Sequence, residues 1–220
     1  MPNKPSSDPT PKPGMLIVLE GMPGAGKTTT ATALTDDGHQ VIEEYTTVAG
    51  QLIDVADHPA VEDDQGHQSN WLTKYRLVAA HRSNRTVFCD RDWLSSLAYA
   101  ASIDDWDLLR GRAAWANRQL AQGHLAVADH YVLFALDPAT SLARRIDRLT
   151  PGHPWSELPC LRRLQKFYGD PIRAAEAACP ELGHQLCAAT WHRLAPETSI
   201  QQTIGYLRSL AVPGTGDARL

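Results

Sequence analysis

The chain has 220 residues, 43% of them apolar and 21% charged, enough for one compact domain with a sizeable core and too apolar for disorder over most of its length. Its 21 basic and 25 acidic residues leave a formal charge of −4, so no global field draws in a polyanion and a nucleic-acid polymer is not an expected partner. The balance is uneven: residues 1 to 137 carry 11 basic and 18 acidic groups, while 138 to 220 carry 10 and 7, so any anion site is local and draws on the second half.

No run approaches the roughly 18 to 20 apolar residues that cross a bilayer, and the N-terminus lacks the apolar core of a secretory signal. These features predict a cytoplasmic protein with no membrane partner. Cys89, Cys160, Cys179 and Cys187 form no CxxC pair, so reduced thiols are expected. Cys179, His184, Cys187 and His192 match no usual zinc spacing.

Residues 1–14 hold five prolines and no aliphatic residue beyond the initiator, which predicts a disordered tail; a single domain over 15–212 and a flexible C-terminus at 213–220 follow. MLIVLE, then glycines, then TTTATAL predicts a buried strand, a tight loop and a helix ending near Gly38. Further strands are expected at 39–45, 86–90, 131–136 and 185–195. Helices are expected at 68–82, 94–102, 106–122, 139–149, 158–179 and 197–210, with an acidic connection over 54–64. This alternation argues for an α/β sandwich around a mainly parallel, five-stranded sheet flanked by helices, with ligands at the carboxyl ends of the strands.

Gly21-Met22-Pro23-Gly24-Ala25-Gly26-Lys27-Thr28 fits GxxxxGK[S/T], and it stands between a strand and a helix as that motif requires. The class is therefore a P-loop NTPase-type fold. Gly21, Gly24, Ala25, Gly26, Lys27, Thr28 and Thr29 are the expected ATP-binding residues: backbone amides and the helix dipole meet phosphate oxygens, and Lys27 supplies a charge to the β- and γ-phosphates. The Thr28 hydroxyl is a candidate Mg²⁺ ligand. Val87-Phe88-Cys89-Asp90 closes the third strand on a carboxylate that can hold the same Mg²⁺, and Arg91 follows at once as a phosphate clamp.

GMPGAGKTTT followed by DRDWLSSLAY resembles the thymidylate kinases, whose phosphate loop is followed by a DRxxxSxxAY segment; Asp90, Arg91, Ser95, Ala98 and Tyr99 keep its spacing. The resemblance runs weakly on through Phe134-Ala135-Leu136-Asp137-Pro138 and the arginine-bearing Ala143 to Arg148. It implies that Lys27 and Thr28 serve ATP and Mg²⁺, Asp90 the metal, Arg91 the acceptor and transferred phosphate, and Tyr99 the sugar side of the acceptor pocket. It also implies a lid at about 144–157 whose arginines, Arg148 first and Arg144 second, stabilise the transferred group. Trp71, Tyr75 and Arg76 correspond to the helix where related kinases hold the acceptor's flat ring.

Three departures change the acceptor pocket. Pro23 replaces an acidic residue of the family's loop, Glu43-Glu44-Tyr45-Thr46 replaces an arginine-containing segment, and Ala100 replaces a glutamine. A glutamate at the end of the second strand resembles the deoxynucleoside kinases, where a carboxylate accepts the proton of the attacking sugar hydroxyl. Glu43 or Glu44 can take this role, with Glu44 nearer the strand's end. A carboxylate there repels an acceptor phosphate. The leading expectation is thus an ATP-dependent small-molecule kinase, a transferase acting on a hydroxyl of a nucleoside-like or other compact acceptor. A thymidylate-type monophosphate kinase is the alternative, and a nucleotide-dependent switch or binding module is the alternative from another class. The sequence leaves a homodimer possible.

Overall fold

The computed structural model describes residues 14–60, 62–149 and 152–211. The tail expected at 1–14 lies outside them except for Gly14, as does the C-terminus at 213–220. Five strands form one sheet: β1 (Leu16–Gly21), β2 (Gln40–Ile42), β3 (Val87–Asp90), β4 (His130–Phe134) and β5 (Thr190–Leu194). Their order is β2-β3-β1-β4-β5 and every pairing is parallel, so the sheet is wholly rather than mainly parallel. Nine α-helices are described: α1 (Lys27–Asp36), α2 (Asp64–Arg82), α3 (Leu94–Ser102), α4 (Trp106–Ala121), α5 (Pro138–Ala143), α6 (Leu158–Gly169), α7 (Pro171–Ala178), α8 (Pro180–Leu186) and α9 (Ile200–Leu210).

Alternation along β1 feeds two cores. Leu16 and Val18 join the larger cluster, packed by α2, α3, α4, α6, α7 and α8; Ile17 and Leu19 join the smaller one, under α1 and α9. Because both faces are covered, the central strands read as continuous apolar runs. Among the described residues no helix is long and apolar enough to cross a membrane. All four cysteines are free.

Several expected boundaries move, each for a visible reason. The second strand stops at Ile42 instead of Tyr45, because the carbonyls of Glu43 and Glu44 turn to the Lys74 ammonium instead of a neighbouring strand. The acidic connection ends in a helix start: Asp63 accepts from the Gly66 amide and α2 begins at Asp64. The helix expected over 139–149 ends at Ala143; the Arg145 amide donates to Leu142, and a separate 3₁₀ turn covers Ile146–Arg148. Arg144 and Arg148 therefore do not share one helix face.

The helix expected over 158–179 is cut at Pro171, which lacks an N–H and restricts Asp170; that aspartate caps α7 through the Arg173 amide. Residues 185–189, expected in the last strand, belong instead to α8 and its exit, and strand pairing starts at Thr190 opposite His130. Helix α2 is tied at both ends of the sheet. Lys74 reaches the carboxyl ends of β2 and β3, while Arg82 donates to Gly14 and to Asp129, 2.7 Å away, beside the start of β1.

Candidate active site

The phosphate loop leaves β1 at Gly21, whose backbone sits at φ +123°; an added Cβ would lie 2.4 Å from the Phe134 carbonyl oxygen, so only glycine fits. Gly26 caps α1 in a left-handed conformation. Ala25 and Gly26 are half-buried on the loop, whereas Gly24, Thr28 and Thr29 are exposed along its open side. Ser141 of α5 donates to the Pro23 carbonyl at 2.7 Å, and Arg144 donates to the Gly24 carbonyl at 3.3 Å. The Arg145 side chain also lies over Gly24. Lys27 is buried, and its ammonium donates to the carbonyls of Gly21 (3.0 Å) and Met22 (2.8 Å). Burial, reinforced by the like charge of Arg91, brings the Lys27 pKa down to about 7 despite Asp90, Glu20 and Glu44 nearby.

Beside the loop, the parallel register brings the ends of β1, β2 and β3 together. Thr28 donates to Asp90 Oδ2 at 2.8 Å, while Asp90 Oδ1 is buried and has no hydrogen-bond partner among the described residues. Burial raises the Asp90 pKa, with Glu44 adding to the rise. A buried carboxylate oxygen with no donor, next to a threonine hydroxyl, is a donor set suited to a hard divalent cation. Thr28 and Asp90 thus fit Mg²⁺.

Arg91 occupies φ +62°, a left-handed backbone that a non-glycine residue holds at a cost of about 1–3 kcal/mol. Its Nε lies 3.0 Å from Glu44 Oε1, yet no N–H points at that oxygen, so the contact is an ion pair without an aligned hydrogen bond. Nη1 donates to Ser95 Oγ at 3.3 Å and stands 3.8 Å from Glu20 Oε2. Burial lowers the Arg91 pKa, but Glu44, Tyr168, Glu20 and Asp90 together outweigh it, and the guanidinium stays charged. Of the two glutamates, Glu44 meets Arg91; Glu43 has its pKa raised by burial and by Asp90, and its carbonyl accepts from Lys74 at 2.6 Å.

The residues expected to hold the acceptor ring divide. Trp71 and Tyr75 are buried in the larger cluster: Trp71 donates to Ser96 Oγ and Tyr75 to the Ala126 carbonyl, and the Trp71 ring lies 5.7 Å from the Lys74 ammonium that reaches the Glu43 and Glu44 carbonyls. Arg76 is exposed. The 3.6-residue spacing of Trp71, Tyr75 and Val78 was the signature of a buried helix face. Tyr99 does stand near the centre, its ring 5.4 Å from the Arg112 guanidinium carbon and 6.0 Å from the Trp155 ring, which in turn lies 5.7 Å from that of Arg91. Arg148 falls in the 3₁₀ turn after α5, and its side chain lies outside the described residues.

Sequence reasoning missed four residues. Lys74, fully buried, donates to Asp90 O at 2.7 Å as well as to Glu43 O and Glu44 O, so one ammonium pins two strand ends. Arg112 pairs with Asp64 at 2.5 Å. Trp155 is held by donation to Ser102 Oγ at 3.0 Å. Glu20 is a buried carboxylate in a strand that is otherwise apolar from Leu16 to Leu19. The signal was present for Glu20 and Lys74 as charges inside apolar patterns, but absent for Arg112 and Trp155, whose positions depend on long-range packing.

A family model described as an AAA domain matches residues 16–147. No curated protein matches the sequence. Among solved structures the fold is similar to deoxyadenosine kinase from M. mycoides with bound dATP, at 13% identity over 88% of this chain and 97% of that one, with a TM-score of 0.60. It is similar also to thymidylate kinase from Candida albicans, at 14% identity over 90% and 91%, with a TM-score of 0.53. The YorR protein of Bacillus subtilis, in complex with phosphorylated GDP, gives 17% identity over 89% and 94%, with a TM-score of 0.50. These likenesses agree with the five-stranded parallel sheet and its phosphate loop. The matched stretch runs from β1 through the phosphate loop and Asp90-Arg91 to Asp147, more than half of the sequence, and the chain belongs to this AAA domain family.

Proposed function

We propose that the chain is a cytoplasmic, ATP- and Mg²⁺-dependent kinase that moves the γ-phosphoryl group of ATP to a hydroxyl of a small, nucleoside-like or otherwise compact acceptor. The observation that carries this reading is the Glu44 carboxylate 3.0 Å from Arg91, beside the Thr28–Asp90 pair and the phosphate loop. A partly exposed carboxylate at that point suits a base for a hydroxyl and repels an acceptor phosphate. The deoxyadenosine kinase and thymidylate kinase likenesses support phosphoryl transfer as the chemistry of the fold.

On this reading the amides of Gly24 to Thr29 and the Lys27 ammonium bind the triphosphate. Mg²⁺, with Thr28 and Asp90 as ligands, would offset charge on the β- and γ-phosphate oxygens. Arg91 orients the transferred group. Glu44 takes the acceptor's proton as its oxygen bonds to the γ-phosphorus and the bond to the bridging oxygen of ADP breaks. Segment 144–157 serves as a lid on the single domain, bringing Arg144 and Arg148 to the equatorial oxygens and excluding water. Glu43, Tyr99 and Trp155 border the acceptor.

ATP consumption measured against a panel of nucleosides, nucleoside monophosphates and other hydroxyl compounds tests the reading. Turnover stimulated by an unphosphorylated hydroxyl compound supports it. Activity confined to thymidylate refutes the hydroxyl acceptor, and slow hydrolysis that no acceptor stimulates refutes the kinase.

A further inference from the structure

Glu20 stands in the row of β1 that faces the larger core, between Val18 and Met22, where alternation calls for an apolar side chain. It is fully buried. A carboxylate there costs several kcal/mol unless donors surround it, and they do. Ser95 Oγ lies 2.8 and 3.0 Å from its two oxygens, Tyr168 Oη at 2.7 Å, and the Asp92 amide at 3.1 Å. The same Ser95 hydroxyl accepts from Arg91 Nη1, which itself lies 3.8 Å from Glu20 Oε2.

The Arg91 guanidinium is therefore shared between two carboxylates, Glu44 at Nε and Glu20 at Nη1. An arginine paired with one carboxylate frequently closes on it as a bidentate, hydrogen-bonded pair. Arg91 and Glu44 have not closed in this way: they are 3.0 Å apart without an aligned hydrogen bond. Tyr168 comes from α6, the helix directly after segment 144–157, so the anchor joins β1, α3 and α6 around one guanidinium.

We propose that Glu20 is a positioning residue for Arg91: together with Ser95 and Tyr168, its carboxylate keeps the guanidinium from closing onto Glu44. Arg91 then stays free to meet the transferred phosphoryl group, and Glu44 stays free to take the acceptor's proton. The inference rests on the kinase reading for its consequence, although not for its geometry.

The test uses the full chain with Glu20→Gln, which keeps shape and removes charge, and Glu20→Met, which fills the site with an apolar group. Glu20→Met leaves the Ser95 and Tyr168 hydroxyls and the Asp92 amide without an acceptor and is expected to lower the thermal midpoint, whereas Glu20→Gln keeps an acceptor oxygen for them and is expected to hold the midpoint within a few degrees. Both variants are expected to lower kcat by about 100-fold while the KM for ATP moves by less than about threefold, because the phosphate loop is untouched. In an Arg91→Lys background the same Glu20→Gln change is expected to cost less than about threefold, since residues acting as a unit are not additive. Nitrogen-15 relaxation of the Arg91 side chain is expected to report a restricted guanidinium that is reoriented by Glu20→Gln. Wild-type kcat in Glu20→Gln, additive losses with Arg91→Lys, or unchanged Arg91 relaxation overturns the positioning role. If the wild type transfers phosphate to no hydroxyl compound the kinase reading fails, and the relaxation measurement still decides whether Glu20 holds Arg91.

Discussion

Lys27 offers the sharpest test, because its charge depends on what fills the loop. Its pKa of about 7 arises from burial and from Arg91. At pH 8, one unit above that value, about 10% of the molecules carry a charged Lys27, and at pH 7 about half do. Triphosphate oxygens within reach of the ammonium favour its charged form and return the pKa toward the ordinary lysine range. Binding of MgATP is therefore expected to take up about 0.9 proton at pH 8, about 0.5 at pH 7 and about 0.1 at pH 6. Calorimetric titrations in buffers of different ionisation enthalpy read this number directly, and Lys27→Met is expected to abolish it. The same group sets a stability slope. Folding lowers its pKa from 10.5 to about 7, so the unfolded chain binds the extra proton between those values and stability rises with pH across that window. Heats of MgATP binding at pH 8 that do not change with buffer would refute a Lys27 that burial holds near neutrality and the triphosphate recharges.

Glu44→Gln is expected to lower turnover by on the order of a hundredfold or more with acceptor KM within a few-fold, while Glu43→Gln is nearly silent; steady-state kinetics on both checks which carboxylate takes the proton. Asp90→Asn removes a carboxylate whose pKa burial has raised, so the thermal midpoint is expected to rise by a few degrees while the Mg²⁺ concentration for half-maximal activity increases at least about tenfold; a lower midpoint would count against the orphaned oxygen. Asp92 is buried beside Glu20 with its pKa raised to about 7, and its folded form binds a proton more tightly than the unfolded chain does. Its contribution is present in full below the unfolded value of 3.8 and is lost as pH rises toward 7. Denaturant titrations of Asp92→Asn should show a flatter stability profile over that range. Arg144→Ala and Arg148→Ala are expected to lower kcat at least about tenfold more than they raise the KM for ATP, and equal changes would mark them as binding residues only.

The fold was legible where local chemistry decides it. The phosphate loop, the Asp90-Arg91 strand end and the alternation of strands and helices follow from glycines, apolar runs and one charged motif, and they landed as expected. The break at Asp170-Pro171 could have been read from the proline, yet the long apolar periodicity of 158–179 hid it. The ends of β2 and α5 were not readable, because Lys74 and the Arg145 turn decide them through contacts made only after packing. In the site, Glu44 was separated from Glu43 by its pairing with Arg91, not by strand alternation, since the strand ends before either residue. Trp71 and Tyr75 are buried in the core, and one helical spacing serves both a core face and a ring platform, so spacing alone does not separate the two.

Helix α2 sets a length rule for the chain. Its two anchors, Lys74 at one end of the sheet and Arg82 at the other, lie eight residues and about 12 Å apart along one helix. One residue inserted or deleted between them turns everything beyond it by about 100°, which releases one anchor whatever the new residue is. The segment 47–52, whose Val48 and Leu52 are exposed, instead closes on itself through the Thr46–Leu52 bridge, so its two ends meet and its tip spans no distance between fixed points. Natural or engineered changes of length are expected to collect there and to spare 74–82, so that α2 keeps its span while the surface around 47–52 varies in size.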